Sequence, residues 1–493
     1  MEMLFRSTRG YGKRVRSSPA ILSGIAPDGG LYVPVSMPSL DRSLDELACL
    51  DYRSLSHYII SKFFTDLGPD TLRECIDDAY DTKYDDSSIV PVVKKDRVYF
   101  MELFHGPTLA FKDMALTMLP HLLKAAAAKT RNRKEIVILT ATSGDTGKAA
   151  LEGFAGVEGT RIIVFYPAGG VSSIQERQMT TQSGDNTYVI AIRGNFDDAQ
   201  KGVKAIFTDK GFAAGLDRKG YIFSSANSIN IGRLIPQIVY YVYAYLKISQ
   251  GSGSGEKINI AVPTGNFGNI LAAYYSKKMG LPVDRLICAS NINNVLYEFI
   301  NTGVYDRNRK FIITSSPAMD ILVSSNLERL LFDLAGEDPE VINRLVRDLS
   351  EKGRFVIDKK MREGLKDFYG GFATEDETSA GIKGVYDKYG YLIDTHTAVG
   401  YSVYQKYVGD TGDDRPALIA ATASPFKFPR SVAGAIDGKY LSEDELGLLD
   451  VLSEISGLEI PHPLAGIAGR RIIHKRTCSI DKMKAVVSEI LGL

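Results

Sequence analysis

The sequence predicts an α/β protein built on largely parallel sheets. Three observations carry this. Short apolar runs bounded by turn residues alternate with helical stretches. Glycine and hydroxyl residues cluster where several of those runs end, the edge at which open α/β sheets bind ligands. The chain has 493 residues, more than one hydrophobic core supports, so two or three domains are expected.

Residues 1–95 are turn-rich at first and then helical from about Ser54 to Tyr80. A helical stretch follows at Leu116 to Lys129. Glu135 to Thr140, Thr160 to Tyr166, Tyr188 to Ile192, Lys257 to Val262 and Arg285 to Ala289 read as buried strands. A long helix is expected from Asn227 to Ile248, and Gln250 to Gly255 reads as a flexible surface connection. Ala417 to Ala420 is a further apolar run that ends in a hydroxyl-bearing loop. No internal repeat is visible.

Bulk composition excludes several classes. Lys+Arg and Asp+Glu both number 59, which removes the electrostatic case for nucleic acid. The longest apolar stretch, Leu234 to Leu246, carries Gln237 and four tyrosines and is too short and polar to span a membrane. No apolar segment follows the basic N-terminal residues, so a secretory signal is not expected. The four cysteines form no CxxC and the six histidines no HExxH, which points to a reducing, cytoplasmic setting and no metal site.

Lys112 is the residue most suggestive of chemistry. It lies in His105-Gly-Pro-Thr-Leu-Ala-Phe-Lys112-Asp113, beside Leu109 and Phe111. A lysine in a mostly apolar pocket has a lowered pKa and attacks aldehydes. The plainer reading is a helix-start lysine on a solvated face. Gly265-Asn266-Phe267-Gly268-Asn269 follows a strand and precedes a helix expected from about Ile270. Its glycines allow a sharp turn, and the helix start favours an anion, so it reads as a phosphate cup or as a simple βα turn. Ser143, Asp145 and Thr146, between Gly144 and Gly147, suit a carboxylate or serve as helix caps. Ser228, Asn230 and Arg233 open the long helix, where Arg with amide and hydroxyl donors suits a phosphate monoester. A capped helix with a surface arginine is the competing reading.

Together these segments resemble the threonine synthase family, pyridoxal-phosphate (PLP) enzymes of fold type II. Ser7-Thr-Arg-Gly10, Gly24 to Pro34, His105 to Asp113, Ser143 to Gly147, Gly265 to Asn269, Ser315 to Asp320, Ser324 to Arg329 and Asp394 to Val399 carry the likeness, in the family's order. Because Ser7 already falls in it, little room is left for a transit peptide. The resemblance implies two open, largely parallel sheet domains with helices on both faces, plus an N-terminal segment packed on the larger domain. The expected division is residues 1–95 for that segment, 96–225 for a smaller domain carrying Lys112, and 226–493 for the larger.

The resemblance also implies roles. Lys112 would carry the cofactor covalently, and Gly265, Asn266, Phe267, Gly268 and Asn269 would cup its phosphate. Thr422 would meet the pyridine nitrogen. Ser143, Asp145 and Thr146 would surround the substrate carboxylate. Ser228, Asn230, Arg233 and Asp113 would serve the substrate phosphate. Lys148 stands where the family has a small residue, and Ser424-Pro-Phe-Lys427 where it has His-Pro-Ala-Lys. The implied reaction takes O-phospho-L-homoserine and water to L-threonine and phosphate, in a monomer or a homodimer. A phospho-lyase giving 2-oxobutyrate, a serine/threonine dehydratase and a non-catalytic binding protein are the alternatives.

Overall fold

The computed structural model describes residues 2–142, 144–250 and 255–493. Ser143 and most of the connection expected at Gln250 to Gly255 lie outside the described residues. Two open sheets organise the chain. The larger has six strands in the order Phe368–Phe372, Val283–Ser290, Ile258–Pro263, Ala417–Ala421, Val98–Glu102, Val92–Lys95. Its neighbours run parallel except the last pair, which is antiparallel. The smaller sheet has five parallel strands in the order Arg476–Ser479, Thr187–Arg193, Thr160–Pro167, Glu135–Ala141, Tyr221–Ser224.

The period of two along each strand shows in what successive side chains meet. Ile260 and Val262 join a core with the helices Pro236–Ser249 and Gly268–Lys278, whereas Ala261 joins one with Thr395–Thr411. Ile136 and Ile138 belong to the first of these cores. Val137 and Leu139 face the helices Lys210–Arg218 and Met483–Leu491. Helices thus cover both faces of each sheet, which is why the strands read as unbroken apolar runs. One core extends continuously beneath both sheets.

Two expectations are corrected by long-range packing. The N-terminal segment rests on both domains, not on the larger alone. Its helix Tyr52–Ser61 packs on Pro236–Ser249, with the Tyr52 ring 5.3 Å from that of Tyr243, while Pro69–Ala79 packs on Met118–Lys129. Both receiving helices bury most of their surface, so each offers an apolar face to it. The strands also cross the expected boundaries. Val98–Glu102 lies in the larger sheet, and the C-terminal Arg476–Ser479 adds an edge strand to the smaller. Backbone hydrogen bonding decides membership, and proximity along the chain does not. The helix expected from Asn227 to Ile248 is two pieces, Ile231–Leu234 and Pro236–Ser249, because Pro236 lacks the N–H that would continue the first.

Parallel strands place their carboxyl ends on one edge. The loops after Glu102, Ala141, Pro263 and Ala421 all leave from such ends.

Candidate active site

The loop that carries Lys112 is held from two sides. Phe111 N–H donates to Thr422 O at 2.8 Å, Ser424 N–H donates to Leu109 O at 3.0 Å, and Ala110 bridges Ala423. Leu109 adopts φ +60°, rare for a side chain of that size and a conformation kept where surroundings enforce it. Asp113 staples the turn from within: its oxygens accept from Thr108 N–H at 2.8 Å and Thr108 Oγ1 at 2.5 Å. Burial raises the Asp113 carboxyl to about 6 against the lowering effect of those bonds. A Cβ at Gly106 would stand 2.6 Å from Asp113 Cβ, so only glycine fits there. Asp113 is therefore committed to the lysine loop.

Upstream, His105 lies between two carboxylates, 2.6 Å from Asp85 Oδ1 and 2.8 Å from Glu102 Oε2. Burial opposes its charge, but these partners prevail and raise its pKa from 6.5 to about 9. A folded-state pKa above the unfolded one means the stabilisation is fully present below pH 6.5 and fades as pH rises through 9. His105→Asn is thus expected to cost about 2 kcal/mol at slightly acid pH and little well above the raised value. Urea unfolding of both proteins across that range checks it; a pH-independent difference would refute it.

Lys112 stands just before the short helix Asp113–Leu116, with its side chain 11% exposed. Its Nζ lies 3.4 Å from Asp145 Oδ2 and 5.4 Å from the Phe111 ring centre. Burial lowers its pKa, Asp145 works against that, and Lys427 and Arg233 add to the lowering. The pocket is less apolar than Leu109 and Phe111 suggest: its electrostatics are set by charged groups from three distant loops.

Asp145 opens the helix Asp145–Phe154. The capping expected of Asp145 or Thr146 is done by Thr142, whose Oγ1 accepts from Gly144 N–H at 3.0 Å and Gly147 N–H at 2.9 Å. Asp145 is released for other partners. Lys427 Nζ lies 3.1 Å from its Oδ1, and Gln175 Nε2 donates to the same oxygen at 2.9 Å. Burial alone would raise the Asp145 carboxyl, but Lys427 and then Lys112 hold it well below the usual range. Thr146 is half-buried on the first turn.

The cup differs in detail from expectation. The left-handed turn is made by Phe267, at φ +65°, and not by a glycine. Gly265 serves close approach instead: a Cβ there would stand 2.5 Å from Ala318 O. Ser324 Oγ donates to Gly265 O at 2.8 Å, and Asn326 N–H to Asn266 O at 3.0 Å. The helix Gly268–Lys278 starts in the cup, with Gly268 as its first residue. Asn269 Oδ1 accepts from the hydroxyls of Tyr240 and Tyr241, both at 2.6 Å, leaving its buried Nδ2 without a partner among the described residues.

Of the phosphate-end candidates, Arg233 has a buried donor, Nε, without a partner among the described residues. It is 3% exposed, and Nη1 donates to Ala226 O at 2.9 Å. Burial lowers its pKa to about 10. Asn230 is spent on structure: Oδ1 caps Ile231–Leu234 through Gly232 N–H at 2.9 Å, and Nδ2 donates to Ile21 O at 3.0 Å and Ser225 O at 2.9 Å. Ser228 Oγ accepts from Asn326 Nδ2 at 3.3 Å. Thr422 is buried, and its carbonyl holds the lysine loop.

The two departures noted in the sequence are absorbed locally. Lys148 Nζ donates to Glu152 Oε2 at 2.7 Å and to Gln182 Oε1. Ser424 caps the turn Pro425–Lys427 through Phe426 N–H at 3.3 Å.

Sequence reasoning missed Lys427 and Gln175 as site residues, and also His396. His396 Nδ1 lies 2.7 Å from Asp394 Oδ2, and its Nε2 accepts from Ala318 N–H at 3.1 Å. That bond fixes the proton on Nδ1 and positions the turn Pro317–Met319 against Gly265. Its signal was present in Asp394-Thr-His-Thr, a helix start with a histidine.

A PLP group fits these residues: a lysine with a lowered pKa, and a cup whose close approach at Gly265, helix start and unpartnered Asn269 Nδ2 suit a phosphate. Among the described residues no group of three or more His, Cys, Asp or Glu side chains is placed to hold a metal.

Comparison with known proteins agrees. Residues 4–80 match the family model for the threonine synthase N terminus, 88–422 that for pyridoxal-phosphate dependent enzymes, and 397–469 that for the threonine synthase C-terminal region. Threonine synthase of Saccharomyces cerevisiae is 37% identical over 489 residues, covering 92% of this chain and 94% of its own. That of Pseudomonas aeruginosa is 39% identical over 439 residues, covering 88% and 90%. A crystal structure of PLP-bound threonine synthase from Brucella melitensis has a TM-score of 0.89 at 34% identity, covering 99% of each chain. With these models matching residues 4–80 and 88–469, the chain belongs to the threonine synthase family of pyridoxal-phosphate-dependent enzymes.

Proposed function

We propose that this enzyme converts O-phospho-L-homoserine and water to L-threonine and phosphate. The observation that carries the reading is the pairing of two anion-seeking features with one depressed lysine. The cup at Gly265 to Asn269 serves the cofactor phosphate, and Arg233, with Ser228, serves a second phosphate on the substrate. A dehydratase acting on free serine or threonine has no use for a second site.

Bound here, the cofactor would supply an electron sink for negative charge at the substrate's Cα. The chain's own residues do the rest. Lys112 is the attachment point. As a buried amine of lowered pKa it takes the proton from Cα and later one from Cβ. Asp145 and Thr146, at the start of the helix after strand Glu135–Ala141 of the smaller sheet, face the substrate's carboxylate side. Arg233 holds the phosphate that departs from Cγ, and its charge favours the leaving dianion. Lys112 returns one proton to Cγ and, after water has added at Cβ, the other to Cα, while the proton released by water leaves with the phosphate. Thr422 would offer a neutral hydroxyl to the ring nitrogen of the bound cofactor. Asp113 and Asn230 keep the lysine loop and the arginine helix in place and make no substrate contact in this reading. The four unpaired cysteines suit a reducing setting such as the cytoplasm, and no described helix is long and apolar enough to cross a membrane.

The test is product identification. Protein loaded with PLP and given phosphohomoserine is expected to release threonine and phosphate in equal amounts. Release of 2-oxobutyrate with phosphate would replace this reading with a phospho-lyase. Turnover of free threonine without turnover of phosphohomoserine would replace it with a dehydratase.

A further inference from the structure

One carboxylate in the site carries two ammonium groups. Lys112 Nζ is 3.4 Å from Asp145 Oδ2, and Lys427 Nζ is 3.1 Å from Asp145 Oδ1. Lys427 is fully buried, and its other bond is to Thr108 O at 2.7 Å, inside the lysine loop. Gln175 Nε2 donates to the same Oδ1 at 2.9 Å. A carboxylate has one charge to share. Facing Lys112 alone, Asp145 would hold it as an ammonium, which has no lone pair with which to attack or to accept a proton. A buried Asp145 left alone whenever Lys112 lost its proton would in turn be an uncompensated charge.

We infer that Lys427 is a positioning residue: it is the permanent counter-ion of Asp145, and it thereby keeps Lys112 available as a neutral amine. The inference rests on Lys112 being the reactive lysine. The two lysines are not interchangeable, because Lys427 is shut off from solvent and tied to Thr108 O, whereas the Lys112 side chain is 11% exposed. The neighbouring charges act in known directions. Burial, Lys427 and Arg233 lower the Lys112 pKa, and Asp145 raises it. Lys427 also supports the charge of Asp113, and Glu152 opposes it. Lys148, on the same helix as Asp145, is engaged by Glu152.

The experiment titrates Lys112 directly. Full-length cofactor-free protein is labelled with trace acetic anhydride over a pH series, and acetylation at each lysine is read by mass spectrometry. The PLP-loaded protein is followed in parallel by the pH midpoint of its visible absorbance. Lys427→Met is expected to raise the Lys112 midpoint by about one to two pH units. Lys427→Arg keeps the charge and is expected to stay near wild type, which a purely steric role would not produce. Asp145→Asn moves the midpoint down. Should Lys427→Met not fold, Asp145→Asn is compared with Asp145→Asn/Lys427→Met, where the double variant titrates higher. A midpoint unmoved by loss of Lys427 in the folded pair, or acetylation of Lys427 ahead of Lys112, overturns the inference. No substrate enters the labelling, so its outcome is independent of the product test.

Discussion

Lys112→Ala is expected to abolish turnover, by about 10⁴-fold or more, while the protein stays folded. The size follows from losing two functions at once, the covalent anchor and the base that moves protons at Cα and Cβ. Folding should survive because the carboxylate left behind is not orphaned. Asp145 keeps Lys427 at 3.1 Å and Gln175 at 2.9 Å. The loop keeps the Thr108–Asp113 staple and the bonds to Thr422 and Ser424. Circular dichroism and the thermal midpoint would therefore stay close to wild type, and the visible absorbance of the PLP-loaded protein would be lost. Turnover surviving in a folded, colourless variant would remove Lys112 from the mechanism.

Arg233→Met carries the second large effect, and here function and stability move apart. Arg233 is a buried cation that no described carboxylate pairs, with Nε unpartnered and its pKa lowered by burial to about 10. Replacing such a charge by an apolar side chain of similar volume is often neutral or stabilising. The ligand-free variant should thus melt at or above the wild-type temperature. Its kcat/KM for phosphohomoserine should fall about 10²-fold, the value of a charge-assisted hydrogen bond in a buried site. Inhibition by inorganic phosphate should weaken in parallel. Unchanged phosphate inhibition would mean that Arg233 serves the fold and not the substrate, and the substrate's phosphate would need another partner.

The legible part of the site was its loops. Glycines and hydroxyls after strands Glu135–Ala141, Ile258–Pro263 and Ala417–Ala421 marked where ligands bind, because parallel strands end on one edge. The individual duties within those loops were less legible. Asn230 and Asp113 looked like ligands and are structural staples, since each finds backbone partners that only the folded chain supplies. Phe267 carries the positive φ that the sequence assigned to glycine, since Phe267 is buried and its ring lies 6.0 Å from that of Phe368. Lys427 was noticed only as the end of a variant motif. Nothing in its neighbourhood along the chain signals a carboxylate that arrives from residue 145.

By itself the sequence determined the α/β class and six of the eleven strands of the two main sheets to within one or two residues, and it singled out Lys112 as the candidate chemical centre. Those properties are local: apolar periodicity sets a strand, and a glycine-rich strand end sets a ligand edge. Tertiary structure alone decided which sheet each strand joins, that the N-terminal segment spans both domains, and that Lys112 shares Asp145 with Lys427. Each of these depends on groups tens to hundreds of residues apart meeting in a region that excludes water. There a partner's identity and distance fix the charge of a lysine, and sequence spacing carries no record of them.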